Sequence, residues 1–249
     1  MATDDNEQNP FTRPGFIAAA VLVALVVVLG IVIAIVNATR SNEPATAPEA
    51  SSPSPTTSAA PTSEPPDAAG SASVCGLEGE SLSGTLSTAP AADWAFQGTT
   101  AYPTSAEFGP GETTAEGVRF CFQHSPTGAL FAASNALALG SDPVVAPAWI
   151  KYFAAEGPHR EELLAETEGS ASTAGTRLRV AGFRILSYDG ETARIDLAGE
   201  GSTSAGSIYF SAVYELIWQD GDWKANTETA KSFDFATIPN LAGYTTWGA

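Results

Sequence analysis

Residues 207–226, SIYFSAVYELIWQDGDWKAN, decide the fold. From Ile208 onward every second side chain is apolar: Ile208, Phe210, Ala212, Tyr214, Leu216 and Trp218. That period of two predicts a strand with one buried face, and a row this long needs a covering layer. Asp220-Gly221 then supplies a dipeptide suited to a tight hairpin, and Asp222 to Asn226 returns as the next strand. Upstream, Leu178 to Leu186 and Thr192 to Gly199 repeat the alternation and are joined around Asp189-Gly190. The four segments predict an antiparallel meander.

The covering layer is legible immediately before it. Ser125-Pro126 has the form of a helix start, a serine cap followed by proline in the first turn, and the small and apolar run after it stops at Gly140. This helix has no polar face and is expected to be buried. Two shorter helices come next, Pro147 to Glu156 with Trp149, Ile150 and Phe153 on one side, and Pro158 to Thr167 anchored by Leu163-Leu164. Between Cys75 and the first helix, Trp94, Phe96, Tyr102-Pro103 and Gly109-Pro110-Gly111 read as strands and loops. Helices followed by a curved antiparallel sheet give an α+β cone of the nuclear transport factor 2-like or cystatin-like type.

The rest of the chain is organised differently. Residues 1–15 are polar, and residues 16–36 form an unbroken apolar run of 21. At helical rise this spans about 31 Å, the thickness of a bilayer core. Asp4, Asp5 and Glu7 against Arg13 are not the basic start of a cleaved secretory signal, so an uncleaved signal anchor is expected; cleavage after Val36-Asn37-Ala38 is the alternative. Gly30, Ala34 and Ala38 have a spacing that lets two membrane helices approach, although alanine is common enough there for chance to account for it. Residues 37–73 read as an unfolded linker, with seven prolines, eight alanines, seven serines and four threonines in the 30 positions from 44 to 73. Residues 74–249 are the one segment able to build a core.

Arg13 and Arg40 flank the apolar run and leave its orientation open. The two cysteines, Cys75 and Cys121, both lie in the globular segment. Either they are buried unpaired thiols or they form a disulfide, and the pairing is the expectation adopted. It places the domain in an oxidising compartment, outside the cell membrane, with residues 1–15 cytoplasmic.

Composition limits the chemistry. With 28 acidic and 11 basic residues the net charge is −17, which repels nucleic-acid phosphates and anionic headgroups alike. His124 and His159 lack metal ligands at useful spacing, and His159-Arg160-Glu161-Glu162 reads as a solvated first helical turn. Tyr214 reads as a core tyrosine, and Asp196 and Glu215 fall on the face away from the apolar rows. No enzyme, cofactor or metal is expected. The basic residues concentrate at Arg177, Arg179, Arg184 and Arg194. Parity splits Arg184 from Arg177 and Arg179 and turns Arg194 outward. They are either sheet-surface charges balanced by Glu191, Asp196 and Glu200 or a docking strip for an acidic protein partner.

Trp94 with Pro103 and Gly109-Pro110, the run His124 to Ala133, the Phe183 strand, Trp218 with Gly221-Asp222-Trp223-Lys224, and Trp247-Gly248 carry a resemblance. Over residues 90–248 the chain resembles a group of actinobacterial membrane-anchored proteins linked to conjugation. It is also similar in element order to inner-membrane scaffold proteins of type IV secretion systems. The resemblance implies a structural or assembly subunit of a cell-envelope machine, with protein partners or self-association, and carries no catalytic residue. The alternative is an extracytoplasmic module holding a small apolar or cell-wall ligand in its cone.

Overall fold

The computed structural model describes residues 73–168, 176–204 and 206–249. The expected tail at 1–15, the apolar run at 16–36 and the linker through residue 72 lie outside them. No described helix is long and apolar enough to cross a membrane.

Two small hairpins come first, β1 (Asp93–Gln97) with β2 (Thr100–Thr104) and β3 (Glu112–Thr113) with β4 (Arg119–Phe120). Helices α1 (Pro126–Gly140), α2 (Ala146–Phe153) and α3 (Arg160–Glu168) come after them. The main sheet is built from β5 (Arg177–Tyr188), β6 (Thr192–Thr203), β7 (Gly206–Gln219), β8 (Asp222–Ala225), β9 (Phe233–Ile238) and β10 (Thr245–Thr246). Its order is β10-β5-β6-β7-β8, all antiparallel. The domain is therefore α+β, and the expected meander is β5 to β8. One long edge of β7 serves two partners: β9 pairs with Tyr209 to Tyr214 and β8 with Leu216 to Gln219. β9 and β10 are additions to the expected strands.

α1 begins where the sequence places it. Ser125 is extended and its Oγ accepts the Gly128 N–H at 3.0 Å, satisfying one donor of the first turn. Gly128 is required there, because a Cβ would lie 1.9 Å from the Gln123 carbonyl oxygen. Fourteen of its fifteen residues are buried, since α1 packs against β5, β6 and β8 and also against β2 and β4. A helix covered all round needs no polar stripe. Arg160, at the start of α3, donates to the carbonyls of Lys151, Ala154 and Ala155 and so caps the end of α2.

Phe131, Phe183, Ile195, Leu197, Leu216 and Trp223 form the centre of the core. Trp247 closes one side, its ring centroid 5.0 Å from Trp94, 5.5 Å from Phe131 and 5.7 Å from Phe183. The expected apolar row of β7 is buried at Ala212, Tyr214 and Leu216 and partly so at Phe210 and Trp218, whereas Ile208 is 46% exposed.

Cys75 and Cys121 are disulfide-bonded, with Cα atoms 5.9 Å apart and a separation of 46 in sequence. A loop of that length stabilises the fold by up to ~4 kcal/mol in the chain-entropy view.

The structure corrects the reading of the arginines. β5 carries an irregularity between Val180 and Gly182, where two residues of β5 advance against one of β6. The extra residue reverses the parity of the stretch from Gly182 to Ile185, which includes Arg184, and a second irregularity between Ile185 and Ser187 restores it. Arg177, Arg179, Arg184 and Arg194 consequently share one face, the face turned away from α1.

Candidate functional site

On that outer face the register sets each arginine beside a potential partner. Arg179 stands opposite Glu200, Arg184 opposite Asp196 and Arg194 opposite Glu215, and all three pairs are ion-paired; Arg177 stands opposite Ser202. The strip is a row of cross-strand pairs whose charges largely cancel. In the Arg179–Glu200 and Arg194–Glu215 pairs the arginine is about half exposed, and solvent-screened pairs of this kind contribute at most about 1 kcal/mol each. The structure brings the predicted residues together, but as balanced charges and not as a concentrated positive field.

Asp196 differs from the others, being only 1% exposed on what would be the solvent face. Tyr244 covers it from the segment after β9. Its hydroxyl donates to Asp196 Oδ2 at 2.9 Å, its ring lies 4.1 Å from the Arg184 guanidinium carbon, and Ser211 Oγ donates to Asp196 Oδ1 at 2.6 Å. Gly182 permits this close approach, because a Cβ there would meet the Thr245 carbonyl oxygen at 2.9 Å. The hydrogen bond from Arg184 to Asp196 holds the guanidinium pKa above its ordinary value, and burial pushes the Tyr244 hydroxyl up.

A second acid, Asp222, sits at the start of β8 and is 1% exposed. The preceding hairpin aims it inward: Asp220 has φ 55° and Gly221 φ 75°, as a primed turn requires. Its carboxylate accepts the N–H groups of Cys121 at 2.8 Å, Phe122 at 2.9 Å and Trp223 at 3.0 Å, and the Tyr152 hydroxyl at 2.8 Å. Cys121 has φ 67°, unusual for a residue with a side chain, and this conformation is fixed by the disulfide on one side and Asp222 on the other. Burial pushes the Asp222 carboxyl up and the four donors pull it back. The Tyr152 hydroxyl is raised strongly, by its own burial first and by Asp222 second.

A third polar cluster lies under α1. Arg119, 7% exposed, donates from Nε to Asn135 Oδ1 at 2.6 Å and from Nη1 to Gln97 Oε1, while its guanidinium carbon lies 3.6 Å from the Tyr102 ring centroid. Asn135 donates onward to the carbonyls of Pro103 and Phe131, each at 3.0 Å, and so joins β2, β4 and α1. Gln97 donates to Asp142 at 2.6 Å, and that bond holds the Asp142 carboxyl below its ordinary range. Burial lowers the Arg119 pKa, and Nη2 has no hydrogen-bond partner among the described residues.

His124 completes the set. Its ring stacks on Trp218 at 3.9 Å, Nδ1 lies 3.0 Å from Glu80 Oε1, and Nε2 lies 2.5 Å from the Gly190 carbonyl oxygen. It ties the segment after Cys75 to the β5–β6 turn. His159 pairs with Glu162 on the exposed first turn of α3, at 3.1 Å. No group of three or more His, Cys, Asp or Glu side chains suited to a metal ion occurs among the described residues.

Sequence reasoning did not single out Asp222, Arg119 or Asn135. The signals were present as local anomalies: a charge inside the apolar run 118–122, an amide in an otherwise small and apolar helix, and a carboxylate opening a strand whose neighbour is tryptophan.

Residues 44–246 match the family described as Domain of unknown function (DUF8175), and the chain belongs to that family. The match begins inside the expected linker and ends in β10. No curated protein and no solved structure matches the chain.

Proposed function

We propose that this protein is a membrane-anchored structural or assembly subunit, with residues 1–15 in the cytoplasm, residues 16–36 in the membrane and the folded domain outside on the linker. One observation carries the reading. The groups in the described domain best suited to chemistry, Asp196, Asp222, Arg119 and His124, are each buried and joined to elements distant in sequence. Polar residues used in this way fix one rigid shape, which is what a contact subunit needs. The disulfide supports the external placement, because such bonds persist in oxidising compartments. We compare the domain with the nuclear transport factor 2-like cone on the order of its helices and strands. A role in a conjugative, type IV secretion-like apparatus rests on the resemblance over residues 90–248. The alternative, a ligand held in the cone, draws no support from the packing, since α1 itself lies against the sheet where a ligand would sit.

Thiol labelling of intact cells tests the placement. A membrane-impermeant alkylating reagent is expected to leave both cysteines unmodified until an external reductant is added and then to label Cys75 and Cys121. Labelling without reduction would show that the disulfide is absent, and protection of both thiols after reduction until the membrane is permeabilised would reverse the orientation.

A further inference from the structure

The two ends of the shared β7 edge are treated differently. Beside β8 the edge is closed: the Ala155 N–H donates to the Ala225 carbonyl at 3.1 Å and the His159 N–H to the Thr227 carbonyl at 3.0 Å. Beside β9 it is open. β9 pairs with β7 and with no other strand among the described residues, which leaves one edge of Phe233–Ile238 unpaired. The usual protections of a free edge are missing. The strand has no proline and a single charge, Asp234, which is already paired with Lys231 at 2.8 Å. Phe235 is 49% exposed, on the same sheet face as the partly exposed Phe210 and the exposed Ile208.

We infer that β9 is a self-association edge, pairing antiparallel with β9 of a second copy about a two-fold axis through Phe235. The register is self-complementary. It sets Phe235 against its own copy, Asp234 against Ala236 and Phe233 against Thr237, so no like charges oppose. In a chain of net charge −17 most faces repel a second copy, and this strip is locally neutral. The copy is therefore the occupant that both pattern and charge favour. The pairing extends the antiparallel sheet across two molecules and covers both Phe235 rings. This deepens the assembly reading, and rests on it only in supposing that the domain works through protein contacts.

Cysteine crosslinking of the full chain tests the register. The two native cysteines are bonded to each other, so a third is the one free thiol. Directly opposed strand positions have Cα atoms about 4.5–5.5 Å apart, within disulfide range. Mild oxidation of Phe235→Cys, in membranes and in detergent extract, is expected to give a covalent dimer. Mixed Phe233→Cys and Thr237→Cys chains are expected to crosslink to each other more than either does to itself. Phe235→Lys is expected to abolish the dimer and to regain it when mixed with Phe235→Glu, which separates loss of pairing from loss of folding. A monomeric Phe235→Cys chain overturns the inference, as does an adduct with a different protein, or equal crosslinking from the remote exposed site Asp220→Cys. Because the detergent arm does not depend on orientation, it fails independently of the membrane placement.

Discussion

Replacing Asp222 with alanine removes the acceptor for four donors at once. Tyr152 is a partly exposed residue whose hydroxyl can rotate away from the lost acceptor, and the Trp223 N–H belongs to the adjacent residue. The N–H groups of Cys121 and Phe122 cannot be resolvated, because both residues are buried and 100 or more positions away in sequence. Each buried donor left unpaired costs about 1–3 kcal/mol, so Asp222→Ala is expected to cost about 3–5 kcal/mol once the carboxylate's own desolvation is offset. That is a large fraction of the roughly 5–15 kcal/mol that stabilises an ordinary domain. Asp222→Asn keeps one acceptor but turns an amide N–H toward the other donors, and an intermediate loss is expected. Urea unfolding monitored by tryptophan fluorescence reads the change, since Trp223 is fully buried beside the substituted residue. Combined with Cys75→Ser and Cys121→Ser, the losses are expected not to add, because Asp222 and the disulfide fix the same positive-φ residue. A loss below about 1 kcal/mol for Asp222→Ala, with an unchanged slope of unfolding, would refute this account of the clamp.

Asn135→Ala strands both the Arg119 Nε and the Pro103 carbonyl, and is expected to lower the unfolding free energy by about 2–4 kcal/mol, whereas Arg119→Met, which removes a buried charge already short of one partner, should cost less. Trp247→Ala empties the space between Trp94, Phe131 and Phe183 and is expected to cost about 3–5 kcal/mol, with faster amide exchange along β5. Gly199→Ala puts a methyl group 2.2 Å from the Phe210 ring, and calorimetry should show about 1–3 kcal/mol of destabilisation. Asp142 and Asp189 are both held below the ordinary carboxyl range, Asp142 chiefly by the Gln97 amide and Asp189 by the Thr192 N–H. Their contributions are present above the ordinary carboxyl pKa and lost as pH falls through the lowered values, so amide protection factors, taken against the intrinsic rate at each pH, should fall in the β1–β2 hairpin and the β5–β6 turn before they fall in the core.

The line between legible and hidden features has physical causes. The meander was readable because its strands carry a period of two and end at turn dipeptides such as Asp220-Gly221, and α1 because an unbroken small and apolar run is bounded by Ser125-Pro126 and Gly140. β10 has two residues, too few for any period, and exists only because Trp247 is drawn into the core beside β5. β9 does alternate, but its rows are weak because one face covers little and one edge covers nothing. Arg184 alone was set on the wrong face, since parity counting assumes an unbroken ladder and nothing in the run from Val180 to Gly182 announces the bulge, whereas the shared face of Arg177 and Arg179 and the outward Arg194 agree with the register. The buried polar centres eluded pattern reading for another reason. Arg119 and Asn135, or Asp222 and Cys121, become partners only after β4 is brought to α1 and to β8, a long-range event with no local signature.

The most direct test of the assembly reading is crosslinking of the full-length protein in its native membrane, with mass spectrometry of the captured species. The account predicts recovery of this chain joined to itself through β9 together with other envelope-spanning transfer subunits. Recovery of the chain alone at monomer mass, under conditions that crosslink a known envelope complex, would contradict it.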